Sequence, residues 1–283
     1  MKYKFFGLPM HYGADSIGLN FGIDELKKEL KKKNHDIIEK IDVVNAEEDF
    51  DEKYIKYINS ITANCISLAK KVNEAVVNNY IPVSIGGDHS ISMGSISGVA
   101  KEMDIGVIWV DAHGDMNTHE TTVTGNIHGM PLAALQGYGH EKLVNIFYKG
   151  PKIKTQNVVI FGARNFDYRE KLFIEQLGVK VFYHKDILNN GFTRELEKAV
   201  NYLTSKINKI HLSFDLDVIN PDLLPGVSNP VEDGITLEQA DYIFDFFIKS
   251  NLLSSVDIVE YNPAFDKNHV TRDFTVRLIE KFM

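Results

Sequence analysis

Four short segments carry side chains that can do chemistry together: Gly86-Gly87-Asp88-His89-Ser90, Asp111-Ala112-His113-Gly114-Asp115, Asp215-Leu216-Asp217 and Glu260-Tyr261-Asn262-Pro263. Between them they offer two imidazoles, His89 and His113, and at least four carboxylates, Asp111, Asp115, Asp215 and Asp217. Massing four carboxylates costs mutual repulsion and desolvation, and a cation relieves that cost. A carboxylate-rich donor set with imidazoles and no thiol favours Mn²⁺ over Mg²⁺, Fe²⁺, Co²⁺ or Zn²⁺. Six ligands are too many for one catalytic ion that keeps an open position; they suit two ions, ~3.5–4 Å apart, sharing bridging carboxylates. In an extended segment alternate side chains point the same way, so Asp-x-His-x-Asp delivers three donors to one side and Asp-x-Asp two. Each motif alone is weak, because an aspartate at a strand end also serves as a cap or turn former. The combination carries the argument. His35, His140, His184, His211 and His269 read as structural or surface histidines, while His11 and His119 sit in loops near strand ends.

These segments need elements to position them. Apolar runs at residues 4–8, 37–44, 81–85, 105–110, 158–161, 179–183, 210–214 and 256–259 read as strands, several of them continuous Val/Ile runs suited to a sheet buried on both faces. Helical patterns fall between them, at 23–33, 54–78, 91–101, 168–177, 193–207, 237–250 and 270–282, with Thr236 placed as an N-cap. The alternation predicts an α/β fold with a largely parallel sheet. Ligand sites in such sheets lie outside the carboxyl ends of the strands, so all four segments should face one crevice. There is no internal repeat, low-complexity stretch or Pro/Gly-rich linker, and the chain reads as a single domain over 1–283.

Composition narrows the function classes. The 31 Lys+Arg against 39 Asp+Glu give a net charge of -8, which argues against nucleic acid or an anionic membrane as partner. Cys65 is the only cysteine, so an internal disulfide and a cysteine metal cluster are both excluded. No run approaches the ~18 apolar residues of a membrane span. Pro9 and His11 interrupt the apolar start that a signal peptide would need, so we expect an unprocessed cytoplasmic protein. A nucleotide-binding reading fails for want of a Walker loop or a Gly-x-Gly-x-x-Gly after a strand.

Taken together, and in this order along nearly the whole chain, the four segments resemble the signatures of the ureohydrolase family, which includes arginase, agmatinase and formimidoylglutamase. The resemblance implies a three-layer α/β/α fold around a mainly parallel sheet, two Mn²⁺ per chain and a small guanidino substrate. It implies that His89, Asp111, Asp115 and Asp215 hold one ion and that Asp111, His113, Asp215 and Asp217 hold the other, with Asp111 and Asp215 bridging. A water between two such ions is acidic enough to supply hydroxide near pH 7. By the same resemblance Asp115 would orient that hydroxide and Glu260 would hold the guanidinium. His128 is the candidate proton shuttle to the leaving amine, since an imidazole titrates near neutrality. The resemblance further implies a homo-trimer or homo-hexamer.

Within the family, the block Thr124-Gly125-Asn126-Ile127-His128-Gly129 is similar to the arginase branch, with Thr124 where arginases have a serine. That similarity assigns Asn117, Thr124 and Asn126 to a substrate α-carboxylate, and Asp167 and Glu170 to an α-ammonium. Asp and Glu at a helix start are also ordinary capping residues. The segment 218–233 departs from the arginase pattern: Asn229 stands for a substrate-proximal threonine, and Pro225-Gly226-Val227-Ser228-Asn229-Pro230 is closer to some formimidoylglutamases. The reading is therefore hydrolysis of L-arginine to L-ornithine and urea. The alternatives are agmatine, guanidinobutyrate or formimidoyl-glutamate as substrate, or an inactive metal-binding relative.

Overall fold

The computed structural model describes residues 2–48 and 54–283. Strands β1 (Tyr3–Leu8), β2 (Ile38–Lys40), β3 (Ile81–Gly86), β4 (Gly106–Val110), β5 (Val158–Phe161), β6 (Lys180–Phe182), β7 (Ile210–Asp215) and β8 (Leu253–Val259) form one sheet in the order β2-β1-β3-β8-β7-β4-β5-β6. Every pairing in it is parallel. The helices are α1 (Leu19–Lys32), α2 (Ile58–Val77), α3 (Ser92–Ala100), α4 (Pro131–Leu135), α5 (Glu141–Val144), α6 (Tyr168–Leu177), α7 (His184–Asn190), α8 (Phe192–Thr204), α9 (Leu237–Lys249) and α10 (Val270–Glu280).

Side chains of successive strand residues alternate between two cores, as the pleat requires. On β4, Ile108 and Val110 join Ile23, Leu196, Phe244 and Leu278 from α1, α8, α9 and α10. Val107 and Trp109 face the other way, onto Ile61, Leu68, Ile96 and Ile174 from α2, α3 and α6. Helices on both faces of a parallel sheet make the three layers expected.

The central strands β3, β8, β7 and β4 are adjacent, though β3 and β4 follow each other in sequence. The chain inserts β7 and β8 between them. Because the pairing is parallel, the four segments that follow these strands emerge at the same edge, where the sequence argument placed the site.

One expectation needs correction, and three short helices were not expected. Residues 37–44 form a strand only over Ile38–Lys40, because Val44 turns away to exchange hydrogen bonds with the Asn64 side chain on α2. The short helices α4, α5 and α7 have too few turns to show a helical period in sequence. Thr236 does cap α9, in a reciprocal box with Gln239.

Candidate active site and metal centre

Each strand-end aspartate closes its own turn. Asp111 Oδ1 accepts from the His113 N–H at 2.7 Å, and Asp215 Oδ1 from the Asp217 N–H at 2.8 Å. Asp88 Oδ1 accepts from the Ser90 N–H at 3.0 Å. At Asp111 and Asp215 the capping role and the site role therefore coexist: Oδ1 fixes the loop and Oδ2 faces His89.

Carboxylate oxygens converge on the two imidazoles. His89 Nδ1 lies 3.0 Å from Asp111 Oδ2, 3.2 Å from Asp115 Oδ2 and 3.1 Å from Asp215 Oδ2. Yet this fully buried nitrogen makes no directed hydrogen bond to any of them. A second group forms where His113 Nδ1 lies 3.0 Å from Asp217 Oδ2 and 3.4 Å from Asp111 Oδ1. Donor atoms within 4.8 Å of one another define two triads, His89–Asp111–Asp115 and Asp111–His113–Asp217, with Asp111 in both. Asp215 is in neither triad, though its Oδ2 reaches His89.

An unpaired buried imidazole nitrogen ringed by carboxylate oxygens is the donor arrangement of a cation site, so the residues fit the divalent metal pair. Titration points the same way. Burial pushes Asp115 up to about 6 and Asp215 well above the carboxylate range, with the neighbouring aspartates adding to it. Burial works in the same direction on Asp111, but His113 and His89 hold it low. A cation would remove the conflict.

Support for these ligands comes from residues that sequence reasoning left without a role. Trp109 stacks on His89 at 3.9 Å between ring centroids and donates its indole N–H to Asp111 Oδ2 at 3.0 Å. Ser213 Oγ lies 2.9 Å from His89 Nε2. Their positions on β4 and β7 are the only signal, and strand periodicity alone does not single them out. Asp88 sits inside a quoted motif but contributes no donor to the centre: one oxygen holds its turn and the other accepts from the Gly13 N–H at 2.9 Å. Gly87 is required here because a Cβ would run into the Met10 carbonyl.

A pocket of about 460 Å³ opens above the triads, lined among others by His113, Asp115, Asp215, Asp217 and His128. Asn117, Thr124, Asn126, Asp167, Glu170 and Asn229 all line it as well. Glu260 does not; it is buried behind His128, with Oε1 3.1 Å from His128 Nδ1 and Oε2 unpartnered. Burial pulls the His128 pKa down, but Glu260, Asp115 and Asp88 outweigh it and raise it to about 9. Its Nε2 faces the Asn229 amide at 3.5 Å.

Asp167 and Glu170 make the capping box of α6 and line the pocket too. Glu170 also accepts from the Met116 N–H, and burial lifts its carboxyl to about 8. Asn117 donates to Asp167 Oδ2 at 3.0 Å, which ties the two polar ends of the pocket together.

The other histidines stay away from the centre. His211 is fully buried between Ser255 and Asp257. His184 accepts from the Gly234 N–H, and His140 caps α5. His35 and His269 line no part of the pocket, and neither do His11, stacked on Tyr12, or His119. Among the described residues no helix is long and apolar enough to cross a membrane.

Comparison with known proteins agrees with this geometry. The model of the arginase family matches residues 1–283. A Bacillus subtilis (strain 168) protein named arginase is 38% identical, over 98% of this chain and 96% of its own length. The solved arginase structure from Bacillus caldovelox superposes with a TM-score of 0.92 at 35% identity, covering 100% of this chain and 98% of that one. A formimidoylglutamase structure from Bacillus subtilis shares the fold, with a TM-score of 0.78 at 18% identity, over 100% of this chain and 86% of that one.

Proposed function

The chain belongs to the arginase family, and on that premise we propose that it hydrolyses L-arginine to L-ornithine and urea with two Mn²⁺ bound. The observation that carries the reading is the pair of triads sharing Asp111 beneath a pocket whose wall is the Asn117–Asn126 block and His128. His89, Asp111, Asp115 and Asp215 would hold one ion, and Asp111, His113, Asp215 and Asp217 the other. When bound, the ions supply hydroxide at neutral pH and draw charge off the reacting carbon.

The chain's own residues do the rest. The acidic floor admits a guanidinium. Asp115, on the pocket surface and beside His89, sits where it can orient the attacking oxygen. Glu260 keeps His128 charged and holds its ring, so that a proton is ready for the leaving amine as the carbon–nitrogen bond breaks. Holding the guanidinium itself would require the buried, unpaired Glu260 Oε2 to be uncovered. At the other end, Asn117, Thr124 and Asn126 would take the α-carboxylate by neutral hydrogen bonds, and Asp167 and Glu170 the α-ammonium. Asn229 would form the wall beside the substrate chain. Location in the cytoplasm and assembly as a trimer or hexamer complete the proposal.

The test is release of urea from L-arginine, agmatine and guanidinobutyrate, and of formamide from formimidoyl-glutamate, by Mn²⁺-loaded enzyme. L-arginine should show the highest kcat/KM, because a site built for a missing polar group rejects the analogue by up to ~10⁴–10⁵. A higher kcat/KM on any of the other three would overturn the substrate assignment.

A further inference from the structure

The pocket lining holds five carboxyl groups, Asp115, Asp167, Glu170, Asp215 and Asp217, and, among the described residues, no lysine or arginine. This field suits a guanidinium and an ammonium. It opposes a carboxylate on the same substrate. Metal ions would offset the aspartates of the floor but not Asp167, which stands apart from the donor triads. Apart from His128, which the proposed reaction reserves for the leaving amine, only neutral amides and hydroxyls of the lining would draw a carboxylate into this cleft.

Lys56 stands behind the end of the pocket where those amides lie. Its backbone N–H donates to the Gly125 carbonyl at 3.1 Å. Its Nζ donates to Asn126 Oδ1 at 3.0 Å, with Asp15 Oδ2 a second partner at 3.4 Å. The other end of the same amide is also held, since Asn126 Nδ2 donates to the Ala14 carbonyl at 3.2 Å. An amide whose oxygen faces an ammonium and whose nitrogen faces a carbonyl has one stable orientation of its two. Asn126 lines the pocket and Lys56 does not. The remaining N–H of that amide is the donor left for a ligand, and the cation behind it polarises it further.

We infer that Lys56 is a positioning residue for recognition of the substrate α-carboxylate. It fixes the Asn126 amide with its nitrogen toward the pocket, and it supplies positive charge that offsets the acidic lining. The inference rests on the reading of the pocket as an L-arginine site and adds to it the residue that sets discrimination between an amino acid and the corresponding amine.

The experiment compares unmodified Mn²⁺-loaded enzyme with Lys56→Met and Lys56→Arg. Kinetics on L-arginine are measured together with inhibition by L-ornithine and by butane-1,4-diamine, which differ only in the carboxylate. Lys56→Met should raise the L-arginine KM and the L-ornithine Ki roughly 5–20-fold, as for loss of a charged hydrogen bond partly screened by water. It should leave kcat and the diamine Ki within about 2-fold, and Lys56→Arg should recover most of the ornithine affinity, because the charge remains. Equal losses for ornithine and the diamine, no change in either, or a fall in kcat at constant KM would overturn the inference. If unmodified enzyme turns over L-arginine and Lys56→Met is unselective, the inference alone falls. Failure of unmodified enzyme to hydrolyse L-arginine removes the substrate reading and this inference with it.

Discussion

Glu260 Oε1 lies 3.1 Å from His128 Nδ1 and accepts from the His89 N–H at 2.9 Å. One oxygen thus connects the proposed proton donor to the backbone of a proposed metal ligand. Glu260 holds this position with φ at 68°, a left-handed conformation that costs a non-glycine residue and clusters at functional sites. The pairing keeps His128 protonated to about pH 9. In metal-free enzyme, NMR titration of the His128 ring should show this elevated value, and Glu260→Gln should lower it toward ~6.5. The sign for stability follows. A folded value above the unfolded one means that the contribution is full below about pH 6.5 and is lost as pH rises through 9. A His128 titration unmoved by Glu260→Gln would show that the contact does not hold the proton.

His128 contributes no donor atom to either triad. The variant His128→Asn should therefore bind metal as well as the parent while kcat falls roughly 10–10⁴-fold, the reach of general acid–base catalysis. Metal analysis beside steady-state kinetics makes the check. Loss of metal along with activity would make His128 a ligand or a structural residue.

Asp111 is the donor that both triads share, whereas Asp217 belongs to one. Asp111→Ala should deplete both ions, and Asp217→Ala mainly one, when metal per chain is counted after dialysis. Chelation should lower the melting temperature and Mn²⁺ should restore it, since a ligand at about 100 Kd adds ~2.7 kcal/mol to the folded state. A full complement of both ions in Asp111→Ala would refute the shared-ligand assignment.

The strands and the clustering of Asp and His at their ends were legible in sequence for one physical reason. Buried parallel strands are continuous apolar runs, and the abrupt change to Asp and His at their ends marks the catalytic edge. Val158–Phe161 and Tyr168–Leu177 match their sequence boundaries to the residue. What stayed hidden depends on contacts between distant segments. Nothing near Lys56 in sequence points to Asn126, because the contact spans 70 positions. The pairing of Glu260 with His128 spans 132, so the sequence around either residue carries no sign of the contact. Asp167 and Glu170 read as either caps or pocket residues, and they prove to be both, because the start of α6 forms the pocket wall.

Gly13 provides the last test, because it joins two parts of the site that share no strand. Its N–H donates to Asp88 Oδ2 at 2.9 Å, and its carbonyl accepts from the His128 N–H at 3.1 Å. The β1–α1 loop thereby clamps the turn bearing His89 to the segment bearing His128. A Cβ at Gly13 would collide with Asp88 Oδ1 and come within 2.7 Å of Ser90 Oγ, both buried. Neither atom can retreat without breaking the turn that holds the neighbouring ligand. Gly13→Ala should therefore destabilise the protein by about 1–3 kcal/mol, the range for overpacking a filled site. Because the clash falls on the turn bearing His89 and the clamp bears on the His128 backbone, metal content and kcat should both fall. Thermal denaturation, metal analysis and kinetics on the same preparation separate these effects. Unchanged kcat in a destabilised Gly13→Ala variant would show that the clamp stabilises the loop without setting the position of His128.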